Sequence, residues 1–163
     1  MEILFRTACD RLARSVRVAV VALAVVMLVA LSLQVVMRYA FGRALTWSEE
    51  LAVACFGWAM LLAIAVGVRD AIHVRMDLLV DLLPGRFRAL LERLIALAIA
   101  GAGIFLAWSG WNYTTDSGGL TSAAMAYPMA WLYGSAPVCG ALIAVFGLER
   151  ALFGASPARA RAG

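Results

Sequence analysis

Four long windows of this sequence contain no charged side chain, and they constrain the fold more than any other feature. They cover residues 18–37, 51–68, 94–111 and 129–148, and each is 18 to 20 residues long. A helix of that length, at about 1.5 Å per residue, crosses the roughly 30 Å hydrocarbon core of a bilayer. Because backbone groups in lipid must find their hydrogen bonds internally, such runs predict helices rather than strands. The windows therefore predict four transmembrane helices.

The composition agrees with a membrane protein. Hydrophobic residues make up 64% of the 163 residues and the mean hydropathy is +0.91, whereas soluble domains are roughly 45–50% apolar. We predict an all-α integral membrane protein with four transmembrane helices, forming a single membrane domain over residues 1–163. The expected spans cover about 18–37, 49–68, 94–111 and 128–148.

Two amphipathic helices are expected at the membrane surface. Within residues 1–17, charged residues recur every three or four positions beside apolar ones, which predicts a surface helix that turns into span 1; a frayed tail is the alternative. In the second, at about 77–83, Asp77 and Asp81 lie four positions apart among leucines, and Pro84 ends the pattern. The last residues, 151–163, are expected to form a flexible tail.

The basic residues predict the orientation of the chain. All fourteen are arginine, and only Arg38 and Arg43 lie between spans 1 and 2. The other twelve precede span 1, separate span 2 from span 3, or follow span 4. Because basic residues accumulate on the cytoplasmic side, we expect both termini in the cytoplasm (N-in and C-in). The net charge of +4 then reflects topology and contact with membrane lipids rather than a nucleic-acid surface.

The connection between spans 1 and 2 concentrates charged and aromatic side chains, namely Arg38, Tyr39, Arg43, Trp47, Glu49 and Glu50. Thr46 and Glu49 have the spacing of a capping box, so span 2 is expected to begin here. Aromatic rings and arginines also suit the membrane interface. A helix start anchored at the interface explains part of the cluster, and an interfacial ion pair or a partner contact explains the second glutamate.

Other chemistry is not indicated. His73 is the only histidine, whereas a bis-histidine haem site needs two, and the three cysteines are far apart. No phosphate-binding loop, catalytic triad or metal-ligand spacing is present. We expect a protein that is not an enzyme and carries no cofactor or metal.

Small residues predict where the helices pack closely. Ala96, Ala100, Gly103, Ala107 and Gly110 share one face of span 3, and Ala52, Ala59, Ala63 and Gly67 share one face of span 2, where chance is a serious alternative. Pro137 is expected to kink span 4 between Gly134 and Gly140.

Tryptophan and tyrosine are distributed unevenly. Eight of the nine lie near the predicted outer ends of the spans, and only Trp58 lies deeper. An aromatic belt at the interface explains most of them; a surface for a partner from outside is the alternative.

Several motifs together resemble those of the small membrane subunit of tripartite ATP-independent periplasmic (TRAP) transporters. The blocks that carry the resemblance are Gln34, Arg38-Tyr39-Ala40-Phe41, Leu45-Thr46-Trp47-Ser48-Glu49-Glu50, Phe56-Gly57-Trp58, Gly67-Val68, His73-Val74-Arg75-Met76-Asp77, Leu83-Pro84, Tyr127-Pro128 and Ala136-Pro137. The likeness extends over all four spans.

The resemblance implies a bacterial inner-membrane scaffold. It implies a larger, elevator-type membrane subunit that carries the sodium and substrate sites, and a periplasmic solute-binding protein that delivers an organic acid. Structural or partner-contact residues are then expected in two clusters, with Trp58 as a further candidate: Arg38, Tyr39, Trp47, Glu49 and Glu50 on the outer side, and His73 and Asp77 on the inner side. Two alternatives remain: a self-contained four-helix exporter of the small multidrug type, and a membrane anchor for a redox enzyme.

Overall fold

The computed structural model of the protein describes residues 2–43, 45–70 and 85–153. Within these ranges the helices are α1 (Glu2–Phe41), α2 (Thr46–Asp70), α3 (Gly85–Asp116), α4 (Ala130–Tyr133) and α5 (Ser135–Phe153). Four stretches are long and apolar enough to cross a membrane, and α4 and α5 together form the fourth. The prediction of an all-α protein with four membrane-length helices is confirmed. His73, Asp77, the helix predicted at 77–83 and residues 154–163 lie outside the described residues. Of the flexible tail predicted over 151–163, residues 151–153 belong to α5.

Helix α1 is longer than the predicted first span. It runs without interruption for 40 residues, about 60 Å at 1.5 Å per residue, or roughly twice the hydrocarbon thickness. The turn expected between residues 1–17 and span 1 is absent, because no glycine or proline occurs between Glu2 and Phe41 to break the helix. Cys9, Ala13 and Val16 of this segment are buried in the apolar core together with residues of α2 and α5.

The long helices pack in the order α1, α2, α5, α3. The most extensive packing joins α3 to α5, α1 to α2, and α2 to α5. Phe146 of α5 and Leu62 of α2 lie in the shared core, where Cys139 also donates its thiol hydrogen to the Leu61 carbonyl at 3.0 Å. Because α1 and α3 stand at the two ends of this row, many of their large apolar side chains are exposed.

The contact between α3 and α5 depends on small residues. A Cβ added at Gly103 would lie 2.5 Å from the Ala144 nitrogen, and one at Gly140 would lie 2.7 Å from the Gly103 oxygen. Such positions are far inside van der Waals contact, so only glycine lets the two backbones approach this closely. The packing face predicted for span 3 is therefore confirmed, and its partner is α5.

The packing face predicted for span 2 is partly wrong. Ala52 and Gly67 are buried, but Ala63 is exposed. The buried face of α2 instead follows Ser48, Ala52, Cys55, Leu62, Ala65 and Arg69, which recur at three-, four- and seven-residue spacing. An alanine-rich helix has small residues on several faces, so their spacing alone did not identify the buried one.

The fourth membrane-length segment is interrupted near its start. Pro137 lacks an N–H group, and its ring displaces the carbonyl of the residue four positions earlier, which is Tyr133. The break accordingly lies at Gly134, between α4 and α5, rather than at Pro137 itself. The Ser135 hydroxyl donates to the Leu132 carbonyl at 2.7 Å and so satisfies one carbonyl at the break.

Candidate functional site

The charged side chains that join elements together lie at the two ends of α2. Glu49 and Glu50 stand in its first turns, and Arg69 and Asp70 end it. Twenty residues separate Glu49 from Arg69, which is about 30 Å along a helix. We call these the Glu49 end and the Arg69 end of the bundle.

At the Glu49 end, Glu50 holds a loop. Residues 120–129 form a hairpin in which the Ser122 amide donates to the Tyr127 carbonyl and the Met129 amide donates to the Leu120 carbonyl, both at 2.9 Å. The Glu50 carboxylate accepts hydrogen bonds from the Ser122 hydroxyl, from the Ala124 amide at 2.8 Å and from the Met125 amide at 2.9 Å. A single carboxylate on α2 therefore fixes the tip of this hairpin.

Glu49 has a different partner. Its Oε1 atom accepts a hydrogen bond of 2.5 Å from the Gln34 amide on α1, so it joins the end of the first membrane helix to the start of the second. Helix α2 begins at Thr46, as the capping-box spacing predicts, and the Ser48 hydroxyl donates to the Leu45 carbonyl at 2.7 Å. The carboxylate of Glu49 is exposed beside this contact.

The other candidates at this end stay at the surface. Arg38, Tyr39 and Trp47 are exposed, and Tyr39 retains 82% of its accessible surface. Within the described ranges, neither Arg38 nor Arg43 forms an ion pair with Glu49 or Glu50. The structure thus brings Glu49 and Glu50 together with Gln34 and the hairpin, and leaves the arginines and aromatic rings facing outward.

Beside the two glutamates lies a groove. Its volume is about 440 Å³, and its lining residues come from the start of α2, the hairpin and α4, namely Glu49, Glu50, Val53, Thr121, Ser122, Ala123, Tyr127, Met129 and Leu132. Burial and the negative charge of Glu50 raise the pKa of Tyr127 above its ordinary value. The lining carries two carboxylates and no basic side chain, so the groove favours a positively charged group.

Trp58 lies deeper along α2 and contacts the interrupted helix. Its indole N–H donates to the Trp131 carbonyl at 2.9 Å. Since a backbone carbonyl within a membrane must find a donor in the protein, Trp58 stabilises the α4–α5 junction from the neighbouring helix. Nearby, the rings of Tyr113 and Tyr133 meet edge to face at 4.8 Å.

The Arg69 end contains an ionic network that the sequence did not predict. Arg69 is buried, with 5% of its side chain exposed, and it bridges Asp10 of α1 at 2.7 Å and Glu149 of α5 at 3.1 Å. Its guanidinium also lies 5.3 Å from the centre of the Phe146 ring. Next to it, Arg17 binds both Asp70 oxygens at 2.6 Å. The network therefore joins three helices at one end of the bundle.

A signal for this network is present in the sequence. Arg17, Arg69, Asp70 and Glu149 lie immediately outside the uncharged windows, and Asp10 lies about two helical turns before the first window. Side chains of opposite sign from different spans meet in this region. In the part of the chain that the structure describes, no three His, Cys, Asp or Glu side chains are placed to hold a metal ion. The site joins helices, and its described residues offer no ligand set for a metal.

These features define a class of protein. Among the described residues, four helical stretches are long and apolar enough to cross a membrane, α3 and α5 pack through small residues, and the ion pairs and the Gln34–Glu49 hydrogen bond between helices lie at the ends of the bundle. This is the architecture of a multi-pass helical membrane protein.

Comparison with known proteins identifies the family. Residues 27–155 match the family described as "Tripartite ATP-independent periplasmic transporters, DctQ component". The match covers most of the chain, and the protein belongs to this family of TRAP transporter small membrane subunits, which is a family of transporter subunits and not of enzymes.

Two curated proteins are similar to this chain. The "C4-dicarboxylate TRAP transporter small permease protein DctQ" of Vibrio cholerae is 32% identical over 79 residues, which are 48% of this chain and 34% of that protein. The "Sialic acid TRAP transporter permease protein SiaT" of Haemophilus influenzae is 28% identical over 110 residues, which are 68% of this chain and 18% of that protein. The matches thus cover about a third of the first relative and less than a fifth of the second.

Proposed function

We propose that this protein is the scaffold subunit of a sodium-coupled TRAP transporter for an organic acid. It holds the stationary part of a larger, elevator-type membrane subunit, while that subunit moves the substrate and the coupling ion. The observation that carries the proposal is the family match over residues 27–155, together with four membrane windows that contain no charged side chain.

The interior of the bundle supports a scaffold role. Helices α3 and α5 approach so closely at Gly103 and Gly140 that even an added Cβ atom would clash with the facing backbone, so they are in direct contact at these positions. Ionic contacts at the Arg69 end and the Glu49–Gln34 bond at the other end tie the helices together. A bundle fixed at both ends is suited to resist the movement of a neighbouring subunit.

The relatives support an acidic substrate and a large partner. One relative is named for C4-dicarboxylate and the other for sialic acid, and both solutes carry carboxylate groups. The greater part of the SiaT chain lies outside its match to this protein, which supports a partner that supplies the additional membrane segments. The substrate is captured, in this proposal, by a periplasmic solute-binding protein.

The arginine distribution supports a location in the bacterial inner membrane with both termini in the cytoplasm. The Arg69 end would then face the cytoplasm and the Glu49 end the periplasm. Asp10 and Glu149, which belong to the first and last membrane-length segments, both bind Arg69. This shared contact supports an even number of crossings, as the proposal requires.

The test is to express this chain with a TRAP large subunit and a solute-binding protein from the same organism, and to measure uptake of radiolabelled organic acids in the presence and absence of sodium. We expect uptake that requires all three proteins and sodium. Replacing Glu49 and Glu50 together by glutamine is expected to impair recovery of the large subunit or uptake, whereas Asp116→Asn, an exposed carboxylate at the same end, is the matched control. Full uptake without this chain would overturn the proposal.

A further inference from the structure

One exposed face of α2 connects directly to the acidic groove. Glu49, Val53, Phe56, Met60 and Ile64 follow one another at three- and four-residue spacing, so they share a face of the helix. The four apolar members are 42–60% exposed. We call these four residues the α2 stripe; it extends about 16 Å along the helix, from the groove towards the Arg69 end.

The α2 stripe differs from the other exposed apolar faces. Helix α2 packs between α1 and α5, so the stripe lies on a broad side of the row rather than at its edge. Val53 belongs both to the stripe and to the lining of the groove, which makes the two surfaces continuous. At their junction Glu49 has an exposed carboxylate, of which one oxygen bonds Gln34.

We infer that the α2 stripe and the groove form the docking surface for a transmembrane helix of the large subunit, and that a lysine or arginine near the end of that helix binds Glu49. This inference rests on the proposed function and names the surface through which the two subunits join.

Charge complementarity favours this occupant. The groove contributes Glu49 and Glu50 and no basic side chain, so a lysine or arginine that enters it meets a carboxylate whose charge no residue of the lining balances. Lysine and arginine near the end of a membrane helix carry their charge to the interface on a long apolar stem. The partner helix can therefore cover the α2 stripe with its apolar residues while its basic end reaches Glu49.

A phospholipid fits the surface less well. Its acyl chains could cover Val53, Phe56 and Met60, but an anionic headgroup would be repelled by the two carboxylates, and an ethanolamine headgroup brings a phosphate into the groove together with its ammonium group. Phe56 and Met60 also suit a protein partner, because aromatic and methionine side chains are enriched at protein interfaces.

The inference is tested by photocrosslinking in the intact complex. p-Benzoylphenylalanine is introduced at Phe56 or Met60, and as a matched control at Phe105, an exposed phenylalanine on α3. The chain is co-expressed with the large subunit, irradiated in the membrane and purified. We expect Phe56 and Met60 positions to crosslink to the large subunit, and the Phe105 position to give at least roughly tenfold less of that product.

A charge-reversal variant of Glu49 provides a second test. Glu49→Lys is expected to reduce recovery of the large subunit about tenfold or more, since it replaces an attraction by a repulsion, whereas Asp116→Lys at the same end of the bundle leaves recovery unchanged. Glu49→Gln keeps the side-chain shape, so it tests the charge if the lysine variant does not fold.

The possible outcomes test the docking surface separately from the proposed function. If the wild-type chain retains the large subunit but the crosslinks arise from Phe105 and not from the stripe, the surface is wrong and the proposed function stands. Adducts of the stripe with phospholipid, or with a second copy of this chain, overturn the inference in the same way. If the wild-type chain retains no large subunit at all, both the docking surface and the proposed function are overturned.

Discussion

Substituting Gly140 by alanine should separate α3 from α5. The added Cβ would lie 2.8 Å from the Ala107 Cα atom and 2.7 Å from the Gly103 oxygen, where ordinary van der Waals contact needs about 3.4–4 Å. Both neighbours are backbone atoms of α3, so they cannot rotate away as a side chain could. To accommodate the added Cβ, α3 and α5 must move apart at this contact, which leaves the surrounding interface less well packed.

The loss of stability expected for Gly140→Ala is estimated by comparison with Gly101→Ala. That glycine lies within α3, and a Cβ added there meets nothing within 4 Å. Replacing a helical glycine by alanine removes a backbone penalty of up to about 1 kcal/mol at either position, so this contribution cancels between the two variants. What remains for Gly140→Ala is the cost of overpacking, typically about 1–3 kcal/mol.

The assay is equilibrium unfolding of the purified chain in mixed micelles of a mild detergent and dodecyl sulfate, followed by circular dichroism. Gly101→Ala should be as stable as the wild type or slightly more stable, and Gly140→Ala should be less stable than Gly101→Ala by about 1–3 kcal/mol. Equal stability of the two variants would refute the close approach of α3 and α5.

Four further outcomes are expected. Glu50→Gln should speed hydrogen exchange at the Ala124 and Met125 amides relative to wild type, because it weakens the bonds that hold the hairpin tip; unchanged exchange would contradict the role of Glu50. Arg69→Met should lower the free energy of unfolding by about 3 kcal/mol, since it leaves Glu149 largely buried without its partner; a stability equal to wild type would contradict this. Trp58→Phe should cost about 1 kcal/mol through loss of its hydrogen bond to a backbone carbonyl, again measured by unfolding. Burial and the negative charge of Glu50 raise the pKa of Tyr127. The contribution of Tyr127 to the free energy of unfolding is therefore present below about pH 10 and is lost as the pH rises further. Tyr127→Phe should accordingly lose less stability than the wild type when the pH is raised above about 10.

The membrane spans could be predicted because the bilayer imposes a simple rule. Helices that cross it must be apolar for about 20 residues, and the four uncharged windows lie within the four membrane-length segments, except that the fourth window begins one residue earlier, at Met129. The ends of the helices could not be predicted as well, because that rule applies only within the hydrocarbon. Helix α1 starts at Glu2 and α3 extends to Asp116, since charged residues outside the bilayer are compatible with helix as long as no breaker intervenes.

Helix packing could be predicted where the small residues of a helix lie on one face only. Gly103 and Gly110 share a face of α3, and the residues that they meet on α5 include Gly140, Ala144 and Ala136. On α2 the small residues are spread around the helix, and the buried face is identified only by its neighbours. Ala63, expected in a packing face, is exposed, whereas Arg69 is buried by its contacts with α1 and α5.

The contacts of the candidate site depended on distant parts of the chain. The sequence indicated that Glu49 and Glu50 were special, but the residues that bind Glu50 lie more than 70 positions away in the hairpin. Arg69 is 59 positions from Asp10 and 80 from Glu149. Single-sequence patterns describe neighbours along a helix, so pairs of this separation become visible only when the helices are packed together.

In the proposed function, this chain supports transport by a partner subunit and carries no solute itself. The most direct measurement is uptake of radiolabelled C4-dicarboxylate and sialic acid into vesicles reconstituted with the purified chain alone, under an inward sodium gradient, beside vesicles that also contain the large subunit and receive the solute-binding protein. We expect the chain alone to give no uptake above protein-free vesicles, and the complete set to take up one acid in a sodium-dependent manner. Sodium-driven uptake by the chain alone would contradict the account.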